Sequence, residues 1–240
     1  MDCILESGCV PETGLVGAVT RGGEIATGGS VVRQPHVSSA RSGKLRWRRR
    51  CVSEVFPVCG AAMLCQRDLF LEVGGFDASF FCYAEDVDLG FRLRLRGQRC
   101  WYVADSTVYH VGSASTSKRS DFAVYHGHRN LVWVYFKNMP WPLLLIYLPQ
   151  HIFLNIGSLI YFTAHGQARV IFAAKWAALH GLPRVLRERQ QVQRTRRVGA
   201  CETRRVMATG WLTPYLRGGL WKELLGRWRS VVKPADHGDK

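Results

Sequence analysis

The chain has 240 residues, of which 47% are hydrophobic and 11% aromatic, and this composition excludes a wholly disordered protein. Its 33 Lys and Arg against 18 Asp and Glu give a formal net charge of +15. Such a charge favours a polyanionic partner, which could be nucleic acid, an anionic membrane surface or a phosphorylated substrate.

The N-terminal stretch MDCILESGCVPETG has no basic region followed by a continuous apolar run, so no signal peptide is predicted. The eight cysteines of the chain are scattered, with no C-x-x-C pair and no Cys/His spacing of the zinc type. Because disulfide frameworks belong to small secreted domains, we expect reduced cytosolic thiols and no secretion.

The first predicted strand is the short apolar run from Leu15 to Val19, which glycine-rich turns follow. Residues 36–50 are polar and basic without an apolar period, which is typical of a surface loop. Val55 to Cys65 is a nearly continuous apolar run of strand length, and it predicts a strand buried on both faces. A short helix is predicted over Gln66 to Val73, ended by a Gly-Gly pair. A strand that leads into a helix indicates α/β architecture.

Four carboxylates then lie close together in an otherwise basic chain: Asp77, Glu85, Asp86 and Asp88. After them, apolar residues alternate with Gly and Arg, a period typical of a strand. We predict a helix instead, because three of the acids would lie at its positive end, Arg94 and Arg96 at its negative end and Gly97 just beyond. The next segment, RCWYVADSTVYHVGS, predicts two short strands or one bent strand that ends in a Gly/Ser loop.

Residues 138–168 contain no Lys, Arg, Asp or Glu, so a membrane segment is considered there. Proline and polar residues divide this run into pieces of about ten residues, shorter than the roughly 20 that a span requires. Interfacial or re-entrant helices, a true span and a soluble helical pair therefore all remain open. The basic, helix-favouring stretch over residues 184–197 suits anionic phospholipid heads, and a solvated helix face is the alternative.

The stretch GAAMLCQRDLFLEVGGFDASFFCYAEDVDLGFRLRLRG resembles the second half of the catalytic domain of family 2 glycosyltransferases of the bacterial rhamnosyltransferase-like kind. It carries the GGFD turn and the aromatic Y-x-E-D-x-D-L element in the family's order. Further along, ADSTVYHVGSAS and HRNLVWVYFKNMP resemble the family's H-x-G-S-x-S and R-N segments. The resemblance covers residues 14–140, and a looser one continues through the apolar tail.

The resemblance implies a GT-A fold, so the expected fold class is α/β. We expect a partial GT-A domain with a Rossmann-like mixed sheet over residues 14–138. A helical, membrane-associating region follows over 139–198, between an unassigned N-terminal remnant (1–13) and a C-terminal tail (199–240). The implied activity is inverting transfer of a sugar from a nucleotide-sugar donor to a cell-surface polysaccharide or lipid-linked acceptor. The implied location is the cytoplasmic face of the bacterial inner membrane.

The resemblance also assigns roles to the acids. An acceptor hydroxyl is a poor nucleophile at neutral pH, so a carboxylate must remove its proton. The resemblance places this base at Asp86, with Glu85 orienting the acceptor or the base, and Asp88 is expected to cap the helix. The alternative for all three is that they complement the helix dipole. Asp77 would lie in a turn on the acceptor side, or would belong to a simple helix stop.

The leaving diphosphate needs positive charge, which a divalent metal, Mn or Mg, usually supplies in this fold. By resemblance His110 completes the metal site, with a structural role as the alternative. Ser113, Ser115 and Arg129 are candidates for contacts with the diphosphate or the acceptor.

The family's opening nucleotide-binding motif and its metal-holding D-x-D motif are not found in this sequence. We therefore expect a truncated or frame-interrupted gene, a misplaced start codon, or a split enzyme whose donor half is a separate chain. The rival hypothesis is a catalytically dead basic protein that binds membranes or polyanions through residues 46–50 and 184–197. Nucleic acid is not the expected partner, because the basic residues are not interleaved with aromatics and no nucleic-acid-binding motif is present.

Overall fold

The structure, a computed structural model, describes residues 15–21, 53–57, 59–109 and 120–207. Within these ranges the strands are β1 (Leu15–Arg21), β2 (Ser53–Val55), β3 (Met63–Cys65) and β4 (Cys100–Tyr109). The α-helices are α1 (Arg67–Glu72), α2 (Glu85–Leu95), α3 (Asp121–Asn138), α4 (Trp141–Ala164), α5 (Ala168–Arg194) and α6 (Ala200–Val206). The described part of the chain is thus mostly helical, with one small sheet.

The four strands form a mixed sheet in the order β2-β4-β1-β3. β1 runs parallel to β4, and the two outer strands pair antiparallel to their neighbours. β1 confirms the predicted first strand. Of the two alternatives for residues 100–109, one irregular strand is observed: Ala18 pairs with Val103, whereas Val19 pairs with Thr107. The α/β class is confirmed at this coarse level, and the GT-A topology stays a prediction.

The predicted strand over Val55 to Cys65 is wrong. β2 ends at Val55, a 3-10 turn occupies Gly60–Ala62, and β3 begins at Met63. The physical reason is Pro57, which lacks the backbone N–H that a continuous ladder needs. The second half of the run is not buried on both faces either, because Leu64 is 59% exposed.

Both predicted helices of this region are confirmed. α1 ends at the Gly74-Gly75 pair, whose φ angles of 86° and 64° favour glycine. α2 ends before Gly97, which has a φ of 88°. Leucine and phenylalanine side chains of α2 pack on both sides, against the sheet with α1 and against the α3–α5 core.

α2 is buried nearly all round, which explains its misleading strand-like pattern. Arg92 and Arg94, which alternate with its apolar residues, are themselves buried at 7% and 8% exposure. Arg92 donates to the carbonyls of Val73 and Gly75, and Arg94 donates to Glu54 and the Val55 carbonyl. Because every side of the helix is covered, apolar residues are not confined to one face.

α4 is one continuous helix of 24 residues, so the predicted division into short pieces is wrong. Pro142 lies in its first turn, where a missing N–H leaves no helical bond unmade. Asn155 and Ser158 bond to carbonyls within the helix, which satisfies their polar groups without interrupting it. By length and composition α4 could cross a membrane, and 22% of its most apolar window is buried within the described structure.

α5 confirms the predicted helical character of the basic stretch up to Arg194. α3 and α5 approach closely at Trp133, whose indole N–H donates to the Ala178 carbonyl at 3.0 Å. A Cβ built on Gly181 would lie 2.5 Å from a Trp133 ring carbon, so this approach requires glycine.

The described cysteines, Cys59, Cys65, Cys82, Cys100 and Cys201, are free thiols, as predicted. The predicted basic loop over residues 36–50 lies outside the described residues, as do Cys3, Cys9 and Cys51. The predicted domain boundaries stay predictions.

Candidate functional site

The acid pair, Glu85 and Asp86, opens helix α2. Asp86 lies in the first turn and is held through both carboxylate oxygens: Oδ2 accepts from the Gly60 N–H at 2.8 Å, and Oδ1 accepts from the Val87 N–H at 2.8 Å. A Cβ on Gly60 would lie 3.2 Å from the Asp86 Cβ, so glycine permits this close approach. Two backbone amides therefore fix the orientation of the carboxylate that the sequence assigned as the base.

Glu85 is half-buried, and its Oε2 atom is buried without a hydrogen-bond partner among the described residues. Burial raises the pKa of the Glu85 carboxyl above its ordinary value, a hydrogen bond from its own backbone amide opposes the change, and the Asp86 charge adds to it. Buried carboxylate oxygens are normally hydrogen-bonded, and carboxyl groups with shifted pKa values occur often at functional sites. Glu85 thus has an oxygen available for a ligand.

The loop that leads into the acid pair is strained. Phe81, Tyr83 and Ala84 have φ angles of 62°, 68° and 65°, a region that side chains with a Cβ rarely adopt. Each such residue costs roughly 1–3 kcal/mol, and strain of this kind concentrates at functional sites. Ala84 is also the N-cap of α2 and offers no side-chain cap. We call residues 81–84 the strained loop.

Arg129 and Asn130 of α3 lie against the backbone of residues 79–83, which overlaps this loop, and we call the two side chains the α3 clamp. The Asn130 amide nitrogen lies 2.8–2.9 Å from three carbonyl oxygens, those of Phe80, Cys82 and Tyr83. Arg129 donates to the Ser79 and Phe80 carbonyls, and its guanidinium lies 4.4 Å from the Trp133 ring centroid. The predicted role of Arg129 in substrate binding stays a prediction, because these contacts are all within the protein.

Asp88 does not cap the helix, and that prediction is wrong. Its side chain is fully buried and accepts hydrogen bonds from Arg92, Lys137 and Asn138. The physical reason lies in its position near the end of the first turn, on the side of α2 that faces α3, where a carboxylate requires cationic partners.

Asp77 caps the 3-10 turn Ala78–Phe80, where its Oδ1 accepts from the backbone and hydroxyl of Ser79. Its Oδ2 lies 2.6 Å from the Lys137 ammonium. Burial opposes ionisation of this carboxyl, but the bonds from Lys137 and Ser79 hold its pKa well below the ordinary value. A contact between Asp77 and the acceptor stays a prediction. The observed partners of the Asp77 carboxylate, Ser79 and Lys137, belong to the protein itself.

Asp77 and Asp88 belong to a buried ionic network with Lys137 at its centre. The Lys137 ammonium also lies 3.5 Å from Glu188, and Arg184 lies 2.6 Å from the same glutamate. The network joins α2, α3 and α5. Two of the four gathered carboxylates thus have a structural explanation, and the acid pair is what remains for chemistry.

Sequence reasoning missed Lys137 and Asn130 as members of this region. Asn130 belongs to the R-N segment that the sequence singled out only through its arginine. Lys137 and Asn138 form a polar pair at the C-terminal end of α3, directly after the apolar run over residues 131–136, and this was an available signal.

His110, Ser113 and Ser115 lie outside the described residues. Within the described ranges, no group of three or more His, Cys, Asp or Glu side chains is arranged to hold a metal ion. The described part of the site therefore does not by itself supply a ligand set for the expected Mn or Mg.

An aromatic surface adjoins the strained loop. Phe81 is 75% exposed, and its ring lies 6.2 Å from Phe122 and 5.4 Å from His126. Phe122 and His126 also line an open cavity of about 390 Å³ between α3 and the start of α5, with Arg169 among its other walls. Exposed aromatic rings thus lie beside the strained loop that leads into the acid pair.

Comparison with known proteins gives a family match over residues 32–135, to the model described as glycosyltransferase like family 2. The N-acetylglucosaminyl-diphospho-decaprenol L-rhamnosyltransferase of Mycobacterium tuberculosis is 36% identical over 96 residues, which cover 39% of this chain and 30% of that protein. The O-antigen biosynthesis protein RfbC of Myxococcus xanthus is 35% identical over 79 residues, 33% of this chain and 6% of that protein. The chain thus spans less than a third of the length of these relatives. No solved structure matches the chain.

Proposed function

We propose that the protein transfers a sugar from a nucleotide-sugar donor to a glycan or lipid-linked acceptor, because residues 32–135 match the model of glycosyltransferase like family 2. The matched residues include the acid pair and the α3 clamp. The observation that carries the proposal is the acid pair itself: two backbone amides fix Asp86, and a buried Glu85 oxygen has no hydrogen-bond partner in the described part of the chain.

In the proposed reaction Asp86 is the general base. The acceptor oxygen forms a bond to the anomeric carbon while the bond from that carbon to the diphosphate oxygen breaks. The hydroxyl proton passes to the Asp86 carboxylate, and the bonding electron pair leaves with the diphosphate. A single displacement of this kind inverts the anomeric centre. The hydrogen bonds from the two backbone amides hold the carboxylate in one orientation, which lowers the entropic cost of reaching the transition state.

Glu85 is proposed to orient the acceptor hydroxyl through its unpaired oxygen. A carboxylate that is already buried has lost its water shell, so a hydrogen bond from the acceptor restores a lost interaction. The exposed rings of Phe81 and Phe122 are proposed to lie beneath the acceptor. The expected divalent metal, with His110 as a ligand, also belongs to the proposal, and no step here depends on it.

The first donor to test is an L-rhamnosyl thymidine diphosphate, because the mycobacterial relative is named for rhamnosyl transfer. The first acceptor is a polyprenyl-diphosphate-linked N-acetylglucosamine, for the same reason. Asp86→Asn in the full chain is expected to lower the transfer rate by about 10²–10⁴-fold, the usual contribution of a general base. The matched control is Asp68→Asn, which removes a fully exposed carboxylate from α1. Parental rates in Asp86→Asn would overturn the assignment of the base.

Membrane association is a second part of the proposal, at the cytoplasmic face of the bacterial inner membrane. Ile146, Phe153 and Ile160 of α4 are 57%, 57% and 66% exposed and recur every seven residues, so they form one apolar stripe. Phe172 and Trp176 add exposed apolar surface on α5. Apolar helix surface of this kind suits the interfacial region of a bilayer.

The basic stretch over residues 184–197 offers fewer exposed cations to a membrane surface than its sequence predicts. Arg189 is buried and donates to the carbonyls of Phe136 and Met139, and Arg184 pairs with Glu188. Arg187 and Arg194 are exposed. These two are the cations that we propose to meet anionic lipid heads.

Co-sedimentation with anionic vesicles tests the membrane proposal. Phe153→Asp is expected to weaken binding strongly, because a charge in the stripe cannot enter the bilayer without a large desolvation cost. The exposed position Gln190 gives the control Gln190→Asp, outside the stripe. Vesicle binding without binding of any nucleoside diphosphate would favour the rival hypothesis of a non-catalytic membrane-binding protein.

A further inference from the structure

We propose that Asn130, supported by Arg129, is a positioning residue that holds the strained loop in the conformation that aims Glu85 and Asp86. The inference rests on the proposed function, because it names how the chain sets the geometry of the same acid pair. Neither residue of the α3 clamp needs to touch the substrate for this role.

The strained loop requires an external restraint. Three of its four residues have positive φ angles without being glycine, so the loop would relax if it were free. Such a conformation persists where the surrounding structure fixes the backbone at several points. The Phe81 and Cys82 N–H groups donate to the Ala78 and Phe80 carbonyls, but the Phe81 side chain is 75% exposed and adds little restraint of its own.

Asn130 supplies that restraint from outside. Its side chain is fully buried, and its amide nitrogen lies 2.9, 2.8 and 2.8 Å from the carbonyls of Phe80, Cys82 and Tyr83. One amide group has two N–H donors, so three carbonyls share them. In the strained shape of the loop, all three carbonyls converge on this one amide.

Arg129 fixes the orientation of that amide. Its Nε–H donates to the Asn130 Oδ1 at 2.9 Å, so the NH₂ group must face the loop. The guanidinium also donates to the Ser79 and Phe80 carbonyls, at 3.3 and 3.0 Å. The α3 clamp therefore binds the backbone of residues 79, 80, 82 and 83.

The clamp acts on the acid pair through the backbone. Ala84 is the N-cap of α2, Glu85 follows it directly, and the Asp86 bond to the Gly60 N–H depends on the direction of the first helical turn. A changed loop would rotate this turn and displace both carboxylates. Displacement of a catalytic group by about 1 Å can lower a rate by about 100-fold.

The test uses Asn130→Ala and the isosteric Asn130→Asp in the full chain. Asn130→Asp keeps the size of the side chain but loses both N–H donors. Asn130→Ala is included because the buried charge of an aspartate could by itself prevent folding. The matched control is Asn138→Ala, which removes another fully buried amide from α3 that bonds to Asp88 and not to the loop.

The first measurement concerns the loop alone. Site-resolved alkylation of the Cys82 thiol and amide hydrogen exchange over residues 81–86 are expected to rise about tenfold in the Asn130 variants, the change that a lost buried hydrogen bond produces in an opening equilibrium. In Asn138→Ala both are expected to match the parent chain.

The second measurement concerns transfer. Asn130→Ala is expected to lower kcat by about 10- to 100-fold with little change in the KM of the donor, because positioning acts on the reacting groups and not on donor binding. Adding Ala84→Gly is expected to restore part of kcat, since glycine adopts the strained φ without the clamp. A merely structural role for Asn130 predicts no such rescue.

The outcomes separate this inference from the proposed function. Parental Cys82 alkylation and exchange in Asn130→Ala would overturn the clamp even if the chain transfers sugar. A loosened loop with parental kcat would overturn its positioning role. If the parent chain uses no donor and Asp86→Asn changes nothing, the proposed function is refuted instead. The catalytic role of the α3 clamp is then refuted with it.

Discussion

Lys137→Met removes the central cation of the buried ionic network and leaves its carboxylates in place. The Lys137 side chain is 5% exposed, and its ammonium lies 2.6 Å from Asp77, 3.2 Å from Asp88 and 3.5 Å from Glu188. Methionine has a similar length and is apolar, so the substitution creates little cavity and tests the charge itself.

The magnitude follows from what the carboxylates retain. Breaking a buried ion pair by removal of one partner costs about 3–5 kcal/mol, because the other charge is left uncompensated. Asp88 keeps Arg92 at 2.8 Å and Asn138 at 2.7 Å, and Asp77 is 18% exposed to water. We therefore expect the lower end of the range, a loss of about 3 kcal/mol in the free energy of unfolding at pH 7.

The loss is expected to depend on pH in a defined direction. The Lys137 and Ser79 bonds hold the pKa of Asp77 below its ordinary value, so ionised Asp77 stabilises the folded parent at neutral pH. This contribution is lost as the pH falls below about 4, the ordinary range of an aspartate, towards the lowered pKa of the folded state. The difference between the parent and Lys137→Met must therefore shrink as the pH falls.

Urea unfolding followed by tryptophan fluorescence, at pH 7 and again below pH 4, measures both effects. Arg67→Met is the control, because it removes a cation that is 84% exposed. A loss of less than about 1 kcal/mol for Lys137→Met would show that water screens the network, as it does at a surface pair, and would refute the reasoning.

For three further substitutions, the structure predicts whether the free energy of unfolding rises or falls, and the same unfolding assay measures each change. Gly90→Ala gains about 1 kcal/mol of helix propensity, but its Cβ would lie 2.9 Å from the Pro57 Cβ and 3.2 Å from its Cα, so we expect a net loss of about 1–2 kcal/mol. Gly181→Ala is expected to lose about 2–3 kcal/mol, since its Cβ would lie 2.5 Å from the buried Trp133 ring. A neutral result for Gly90→Ala or Gly181→Ala would mean that the helices move apart at little cost and would contradict the prediction. Glu85→Gln is expected to stabilise the fold at pH 7 while it lowers transfer, because the raised pKa of Glu85 makes its ionised form unfavourable in the folded state. This gain disappears as the pH falls below the ordinary glutamate range, where the parent carboxyl is protonated in both states, and a destabilised Glu85→Gln at pH 7 would contradict the prediction.

Four cations of the chain lie inside the fold and not on its surface. Arg92, Arg94, Lys137 and Arg189 are each at most 8% exposed, and each has carboxylate or carbonyl partners within the fold. Because they are enclosed, these cations cannot pair directly with a polyanion. Direct pairing is therefore left to exposed cations such as Arg187 and Arg194.

Local features of the sequence predicted the local elements well. β1, α1 and the stop at Gly74-Gly75 follow from short apolar runs and from the conformational preference of glycine, which act over a few residues. For α2 the placement of charges predicted the helix and the apolar period did not, because the arginines between its leucines are buried as well. The motifs of the acidic stretch predicted a resemblance to family 2 glycosyltransferases, and the family model matches residues 32–135.

Tertiary structure decided which acids remain for chemistry. Asp77 and Asp88 meet Lys137 60 and 49 residues away, whereas one Glu85 oxygen has no hydrogen-bond partner within the described ranges. Four similar carboxylates in one stretch gave no sign of this division. Asn130 meets the strained loop 47–50 residues away, and Pro57 divides a run that looked like one strand. Sequence patterns report preferences of neighbours, but pairing of buried charges and strain in a loop depend on which distant segments the fold brings together. The sequence alone therefore predicted α1, α2 and the resemblance to family 2 glycosyltransferases, and the packing of α3 against α2 determined which acids have partners within the fold.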